Sequence, residues 1–401
     1  MKKLTAILLS LGLTLALTGC GAPTQEEPPV MNTTAPTISE MPTEPVTEPL
    51  HPVENAQPMH AISLPKISES LHSDDGVELL YFSYPSVQIL LESQEAADEI
   101  LADLQGRISG VITAAGDLEA LARETQPSST NWSPYFIEIA YTPTRLDQAV
   151  LSLFGNQSVY SGGPHPSTVT DSVTYDLQTG ETLYLDQLLT PECTPEQLGQ
   201  KIVDALASQA DNLYYDYPDV LADRFSGDLH SLRDWYFSKS GLCFHFAPYD
   251  IAPYSSGTIV AEIPYSELTG ILNEKFLPSQ TVEATGSMYA EVYLEDDSER
   301  FTTMAHIELP QGNTEVLLYS DAPVTDIRIE TGFQYSGTQR YITGSVVFAA
   351  DLVDIGDAIH LSADLSDQEQ LYRLVYHSEV QEYSAFITYD DIGDAILLTN
   401  G

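Results

Sequence analysis

Basic residues are scarce in this sequence. Fifteen Lys and Arg stand against 59 Asp and Glu over 401 residues, a formal net charge of −44. Phosphate backbones and anionic headgroups repel such a chain, so nucleic acid is excluded as a partner, and cationic proteins and divalent cations are favoured. Cysteine is nearly missing: Cys20, Cys193 and Cys243 are too few for a disulfide scaffold. Cys193 and Cys243 lie 50 positions apart and are open to pairing with each other; Cys243 falls in a strand-like run, where a buried thiol packs as a small hydrophobe, which favours free thiols. The usual catalytic patterns are also missing. There is no His-Glu-x-x-His, nucleophile elbow, phosphate loop, Cys-x-x-Cys or His-x-x-x-His. Local motif chemistry is thereby excluded, though a site assembled from distant residues is not. No cofactor and no metal ligand set is expected.

What is present begins at the N-terminus. Met1-Lys2-Lys3 is positive, and Leu4 to Leu17 is an apolar run of signal-peptide length, too short for a confident membrane span. Leu17-Thr18-Gly19-Cys20 matches a lipobox. Residues 1–19 therefore read as a lipoprotein signal peptide and Cys20 as the lipidation site, carrying a palmitate-class acyl anchor. The chain is expected at the cell membrane, on its extracytoplasmic side. Residues 20–60 are rich in Pro, Thr and Glu with few large apolar groups, the composition of a disordered stalk.

The remainder predicts an α+β fold followed by an all-β, sandwich-like domain. A stripe of Ala97, Leu101, Leu104, Ile108, Val111, Ala115 and Leu118 predicts a helix capped by Ser93. Gly106, Gly110 and Gly116 are expected to bend or break it. Strands are predicted at 77–91, 135–141, 148–160 and 169–177, with a turn around Pro143 and Asp147 and a glycine turn at Gly180. A helix is predicted over 194–215, capped by Thr194 with Pro195 in its first turn. The pattern is that of an antiparallel sheet with helices on one face, assigned to 61–277. Beyond it, apolar runs every 8 to 12 positions with Gly, Asp and Asn punctuation predict nine short strands in 278–401. Asp354-Ile355-Gly356-Asp357-Ala358-Ile359 recurs at 391–396, which reads as a repeated turn-to-strand device. Glu295-Asp296-Asp297 reads as a solvated hairpin tip.

Residues 241–268, GLCFHFAPYDIAPYSSGTIVAEIPYSEL, carry the strongest signal. Leu242, Phe244 and Phe246 alternate with Cys243 and His245 as a half-buried strand would. Two prolines then make a connection, Ile259, Ala261 and Ile263 alternate again, and Pro264 opens a short helix. This run resembles the extracytoplasmic domain family of RsiV-type anti-sigma factors, whose ectodomain senses lysozyme. Gly162-Gly163-Pro164-His165-Pro166, Tyr175-Asp176-Leu177 and Leu185-Asp186-Gln187-Leu188 resemble further elements of that family, over about 75–272. The same domain type occurs in lipoproteins and ahead of polysaccharide deacetylase domains. The anti-sigma factors have a spanning helix and a cytoplasmic segment, which this sequence does not show, so direct signalling to a sigma factor is not expected.

Five residues of this region are candidates for ligand contact: His165 in its proline-locked turn, Asp250, and Tyr249, Tyr254 and Tyr265 as an aromatic face. Each has an architectural reading beside it, a locked turn for His165, a turn-holding hydrogen bond for Asp250 and edge packing for the tyrosines. Asp351, Asp354 and Asp357 are spaced to offer oxygens to calcium but lack the EF-hand pattern, so they read as a turn. The sequence thus predicts a non-catalytic, lipid-anchored binding or sensing protein for a lysozyme-like cationic protein or a cell-wall fragment. An enzyme or accessory subunit acting on peptidoglycan or another glycan is the alternative. A deep cleft holding His165 and Asp250 would favour the enzyme, and a shallow tyrosine-lined face the binding protein.

Overall fold

Period-two alternation organises most of the residues that the computed structural model describes, which are 57–129, 131–278, 282–334, 341–366, 370–390 and 395–400. The leader, Cys20, most of the stalk and residues 391–394 of the repeat lie outside them. The chain is mixed α+β with several largely antiparallel sheets and few helices. In chain order it opens with β1 (Ala61–Ser63), β2 (Lys66–His72), β3 (Glu78–Pro85) and β4 (Gln88–Leu90). Next come α1 (Gln94–Thr125), β5 (Tyr135–Leu146), β6 (Val150–Tyr160) and β7 (Ser167–Asp176). The short helices α2 (Leu185–Leu188), α3 (Pro195–Leu206) and α4 (Tyr217–Phe225) precede β8 (Trp235–Phe237), β9 (Gly241–Phe246) and β10 (Ile259–Pro264).

Strands β2-β3-β5-β6-β7 form one sheet, antiparallel except for β3 and β5, which α1 joins as a parallel crossover. Ser93 caps α1, its Oγ accepting from Ala96 N at 3.2 Å. Six of the seven predicted stripe residues are buried and Leu101 is half-buried. The three glycines do not break the helix. They lie on its exposed side, where a missing side chain costs propensity but no packing. Gly180 takes φ +78°, and a Cβ there would meet Ala96 O at 2.5 Å, so the turn after β7 sits hard against the start of α1. The β5–β6 turn differs from expectation. Pro143 stays within β5 at a register shift, and Asp147 makes the turn, its Oδ1 accepting from Ala149 N at 2.8 Å and Val150 N at 3.0 Å.

A second sheet, β10-β9-β8, packs against α3 and α4 around a core that includes Leu198, Ile202, Phe225, Phe237 and Phe244. Thr194 caps α3 in a capping box, as predicted. The helix ends at Leu206 instead of Tyr215, passing into a 3₁₀ turn over Ala207–Asn212, and α4 was not predicted. Leu185 begins α2, and Pro264 ends β10 before a 3₁₀ turn at Tyr265–Glu267. β9 is buried along its whole length rather than on one face, because β8 and β10 flank it and β7 lies behind it.

The third part contains β11 (Met288–Val292), β12 (Thr303–Glu308), β13 (Thr314–Ser320), β14 (Val324–Gln334) and β15 (Tyr341–Val353). It ends with β16 (Asp357–Ala363), β17 (Leu371–Ser378), β18 (Gln381–Asp390) and β19 (Ala395–Asn400). All nine overlap the predicted strands. They form a four-stranded sheet, β11-β13-β16-β12, facing a seven-stranded one, β19-β18-β17-β14-β15-β1-β4. Val316, Leu318, Ile359 and Leu361 of the first meet Ile327, Ile329, Phe348 and Leu374 of the second in one core. Two strands of the larger sheet come from before residue 91. β1 lies between β15 and β4, with Ala61 facing the sandwich core and Ile62 the core beneath α1. Glu295–Glu299 is a 3₁₀ turn between β11 and β12, which do not pair, so it is no hairpin tip, and of Glu295, Asp296 and Asp297 only the first two are exposed. Its Asp297 is buried, accepting from Leu294 N at 2.7 Å and pairing with Arg300 at 2.7 Å.

Candidate functional site

Two segments meet at one edge of the five-stranded sheet: the 161–166 tip of the β6–β7 hairpin and the 247–258 connection between β9 and β10. His245 of β9 sets this docking. Its Nε2 lies 2.6 Å from Ser172 Oγ and its Nδ1 3.0 Å from Thr170 Oγ1, both on β7. The ring is buried, desolvation holds it below the ordinary histidine range, and both nitrogens are engaged. His245 is therefore a neutral structural residue.

The docking brings three of the five predicted residues together. His165 and Tyr254 face each other with ring centroids 5.0 Å apart, and Tyr249 continues the row 5.8 Å from Tyr254. His165 Nδ1 donates to Pro166 O at 3.0 Å, and the Tyr254 hydroxyl lies 3.5 Å from the same nitrogen. The row is open to solvent, with Tyr249 67% and Tyr254 44% exposed. Tyr249 has φ 77°, a left-handed backbone that a bulky aromatic rarely adopts. Hydrogen bonds on both sides hold it there, Tyr249 N to Ala252 O at 2.9 Å and Asp250 N to Ala247 O at 3.0 Å.

The other two predicted residues are engaged within the protein, Asp250 at the surface and Tyr265 partly beneath it. Asp250 Oδ2 accepts from Ala247 N at 3.1 Å and pairs at 3.3 Å with Arg224 of α4, which also pairs with Asp234. Asp250 thus ties the loop to the helix. Tyr265 is half-buried; its hydroxyl donates to Ser238 O at 2.8 Å and accepts from Arg145 Nη1 at 2.8 Å. Burial raises its pKa well above the ordinary tyrosine value. It is an anchor for buried Arg145, not part of an exposed face.

Sequence reasoning missed Tyr214 and Tyr215, placing both in a helix. Tyr214 N donates to Ile251 O at 2.8 Å, which holds this segment against the same loop, and Tyr215 is 96% exposed. Two adjacent tyrosines beyond a helix end were the available signal.

Elsewhere a cleft of about 510 Å³ is lined by Arg145, Asp147, Gln148, Lys239, Asp326 and Asp351 among others, and neither His165 nor Asp250 reaches it. Four of its charged groups pair with one another: Arg145 with Asp147 at 2.6 Å and Lys239 with Asp326 at 3.1 Å. Asp351 accepts from His60 N at 2.8 Å and Gln148 Nε2 at 2.6 Å. The 351–357 aspartates do not converge on a calcium position. Asp354 Oδ1 accepts from Ile355 N at 2.7 Å and Asp357 Oδ2 from Asp354 N at 3.1 Å, which is a turn. Cys193 and Cys243 are free thiols.

A family model described as "Protein of unknown function (DUF3298)" matches residues 186–266, from the start of α2 to the turn at Tyr265. That segment contains Tyr214, Tyr215, Tyr249 and Tyr254 and leaves His165 outside. A solved DUF3298 family member from Bacteroides fragilis NCTC 9343 is 20% identical, with a TM-score of 0.39, covering 53% of this chain and 94% of its own. A DUF3298 family protein from Pseudomonas aeruginosa PAO1 is 14% identical, with a TM-score of 0.36, covering 55% and 97%. No curated protein matches the chain.

Proposed function

We propose that this chain is a lipid-anchored, extracytoplasmic binding or sensing protein of the RsiV-ectodomain type, without catalysis. It takes a cationic, lysozyme-like protein on the His165–Tyr254–Tyr249 face. The observation that carries the reading is this open row of rings across two separate segments, in a chain with a net charge of −44. Tyrosine supplies contact area at low entropic cost and keeps a hydroxyl for a partner, while the acidic field steers a basic partner inward. The left-handed backbone at Tyr249 adds support, since such conformations cluster at functional sites. Anchoring through Cys20 and the stalk, which would end before the buried Met59 and His60, would hold this face away from the membrane.

Calorimetry of the Cys20→Ser chain against lysozyme and against muropeptides tests the reading. Binding to lysozyme is expected, weakening with salt. Tyr249→Ala and Tyr254→Ala should each weaken it about tenfold, the cost of an interface anchor of about 1–2 kcal/mol. No heat from the folded chain with lysozyme at low salt removes the cationic-protein partner, and heat with muropeptides alone makes the wall fragment the ligand. Release of reducing ends from purified cell wall would show an enzyme instead.

A further inference from the structure

The outer face of the four-stranded sheet carries a histidine pair unconnected with the binding face above. β12 and β16 run parallel, and their register sets His306 directly opposite His360. Both point away from the sandwich core, which their strand neighbours Ala305, Ile307, Ile359 and Leu361 fill. His306 Nδ1 lies 3.1 Å from His360 Nδ1. The other nitrogen of His360, Nε2, is 2.6 Å from Glu315 Oε2 on β13. Glu315 is itself held by Ser362 Oγ, which donates to Oε1 at 2.9 Å, and Tyr293 stacks on the His360 ring at 3.8 Å. A carboxylate on Nε2 fixes the Nε2–H tautomer and leaves the Nδ1 lone pair facing His306. Carboxylates orient metal-binding histidines in this way.

We propose that His306 and His360 form a surface site for one divalent transition-metal ion of the zinc–copper class, with Glu315 as its positioning residue and water completing the coordination. Imidazole nitrogen suits these ions, whereas magnesium and calcium prefer oxygen. Two nitrogens at bond lengths of about 2.0–2.1 Å on a tetrahedral ion stand roughly 3.3 Å apart, close to the separation already present. The rings are 85° apart with centroids at 5.3 Å, so the two nitrogens point at each other as in an N–H···N hydrogen bond. His306 is exposed, and a side-chain swing brings both lone pairs onto one ion. Glu308, two residues along the same face of β12, adds negative charge beside the pair. Among the described residues, no group of three or more His, Cys, Asp or Glu side chains converges on a metal position. The protein therefore supplies two donors, and binding should be of micromolar strength. The histidines are 54 positions apart, so no local motif announces the pair.

The chelator-stripped full chain, titrated with zinc sulfate and copper sulfate by calorimetry, tests this, with magnesium chloride as the control. One zinc or copper ion should bind per site, and the copper form should show nitrogen splitting in its electron paramagnetic resonance spectrum. His306→Ala should abolish both signals, and Glu315→Gln should weaken binding about tenfold, as outer carboxylates do. Both variants should keep the metal-free melting temperature, since these side chains lie outside the core. Equal zinc and copper binding by His306→Ala and the parent chain would overturn the proposal, as would a copper spectrum without nitrogen splitting or displacement of zinc by equimolar magnesium.

Discussion

Asp351 shows how a single buried residue sets a pH response. Burial raises its pKa from 3.8 to about 7, against the hydrogen bonds from His60 N and Gln148 Nε2, which favour the ionised form. The folded chain therefore holds a proton on Asp351 that the unfolded chain has lost between about pH 4 and pH 7. Stability contributed by this group is full below the unfolded pKa and falls as pH rises through that window. Asp351→Asn stays neutral throughout, and Gln148 can turn its amide to suit the new side chain. The variant should match the parent below about pH 4 and exceed it above about pH 7 by at most about 4 kcal/mol, read from urea midpoints. A constant difference at all pH values would show that Asp351 does not titrate in this way. His165 and Asp250 mark the limit of residue-scale reading. Both lie in proline-punctuated turns, yet one ends in an exposed ring row and the other in an internal tie to Arg224.

At the scale of the element, α1 runs unbroken over Gln94–Thr125 despite three glycines. Local propensity predicts a break, and the continuous buried stripe overrides it, because tertiary packing supplies most helical stability. Gly110 remains a local weakness that packing does not use. A Cβ there would meet nothing within 4 Å, and the backbone is helical. Gly110→Ala should stabilise the chain by about 0.5–1 kcal/mol, measured as a rise in urea midpoint with unchanged slope. Loss of stability would mean that this face is covered. Strands were legible where alternation was regular, so all nine in the C-terminal part were anticipated. Short pieces such as β1 and α4 were missed, since three to nine residues carry too little periodicity.

Across the whole molecule, β1 couples what the sequence suggested were separate parts. Three residues pair with β15 on one side and β4 on the other, and alternate side chains enter two cores. Ile62, 1% exposed, should therefore matter beyond its own core. Ile62→Ala should cost about 2–5 kcal/mol. Hydrogen exchange should then accelerate in β14 and β15 as well as in α1 and β3. Acceleration confined to α1 and β3 would show that the two parts open independently.

Composition and periodicity alone determined the acidic character, the α+β and all-β succession, the Ser93 and Thr194 caps and the nine C-terminal strands. These depend on interactions within a few residues, or on the sorting of apolar from polar faces, and both are written locally. Only the tertiary structure decided which turn residues meet. It set His165 beside Tyr254, tied Asp250 to Arg224 and Tyr265 to Arg145, buried His245, and placed His306 against His360 through strand register. Those contacts span tens of residues, and their geometry is set by how sheets pack and strands align, which no short window of sequence encodes.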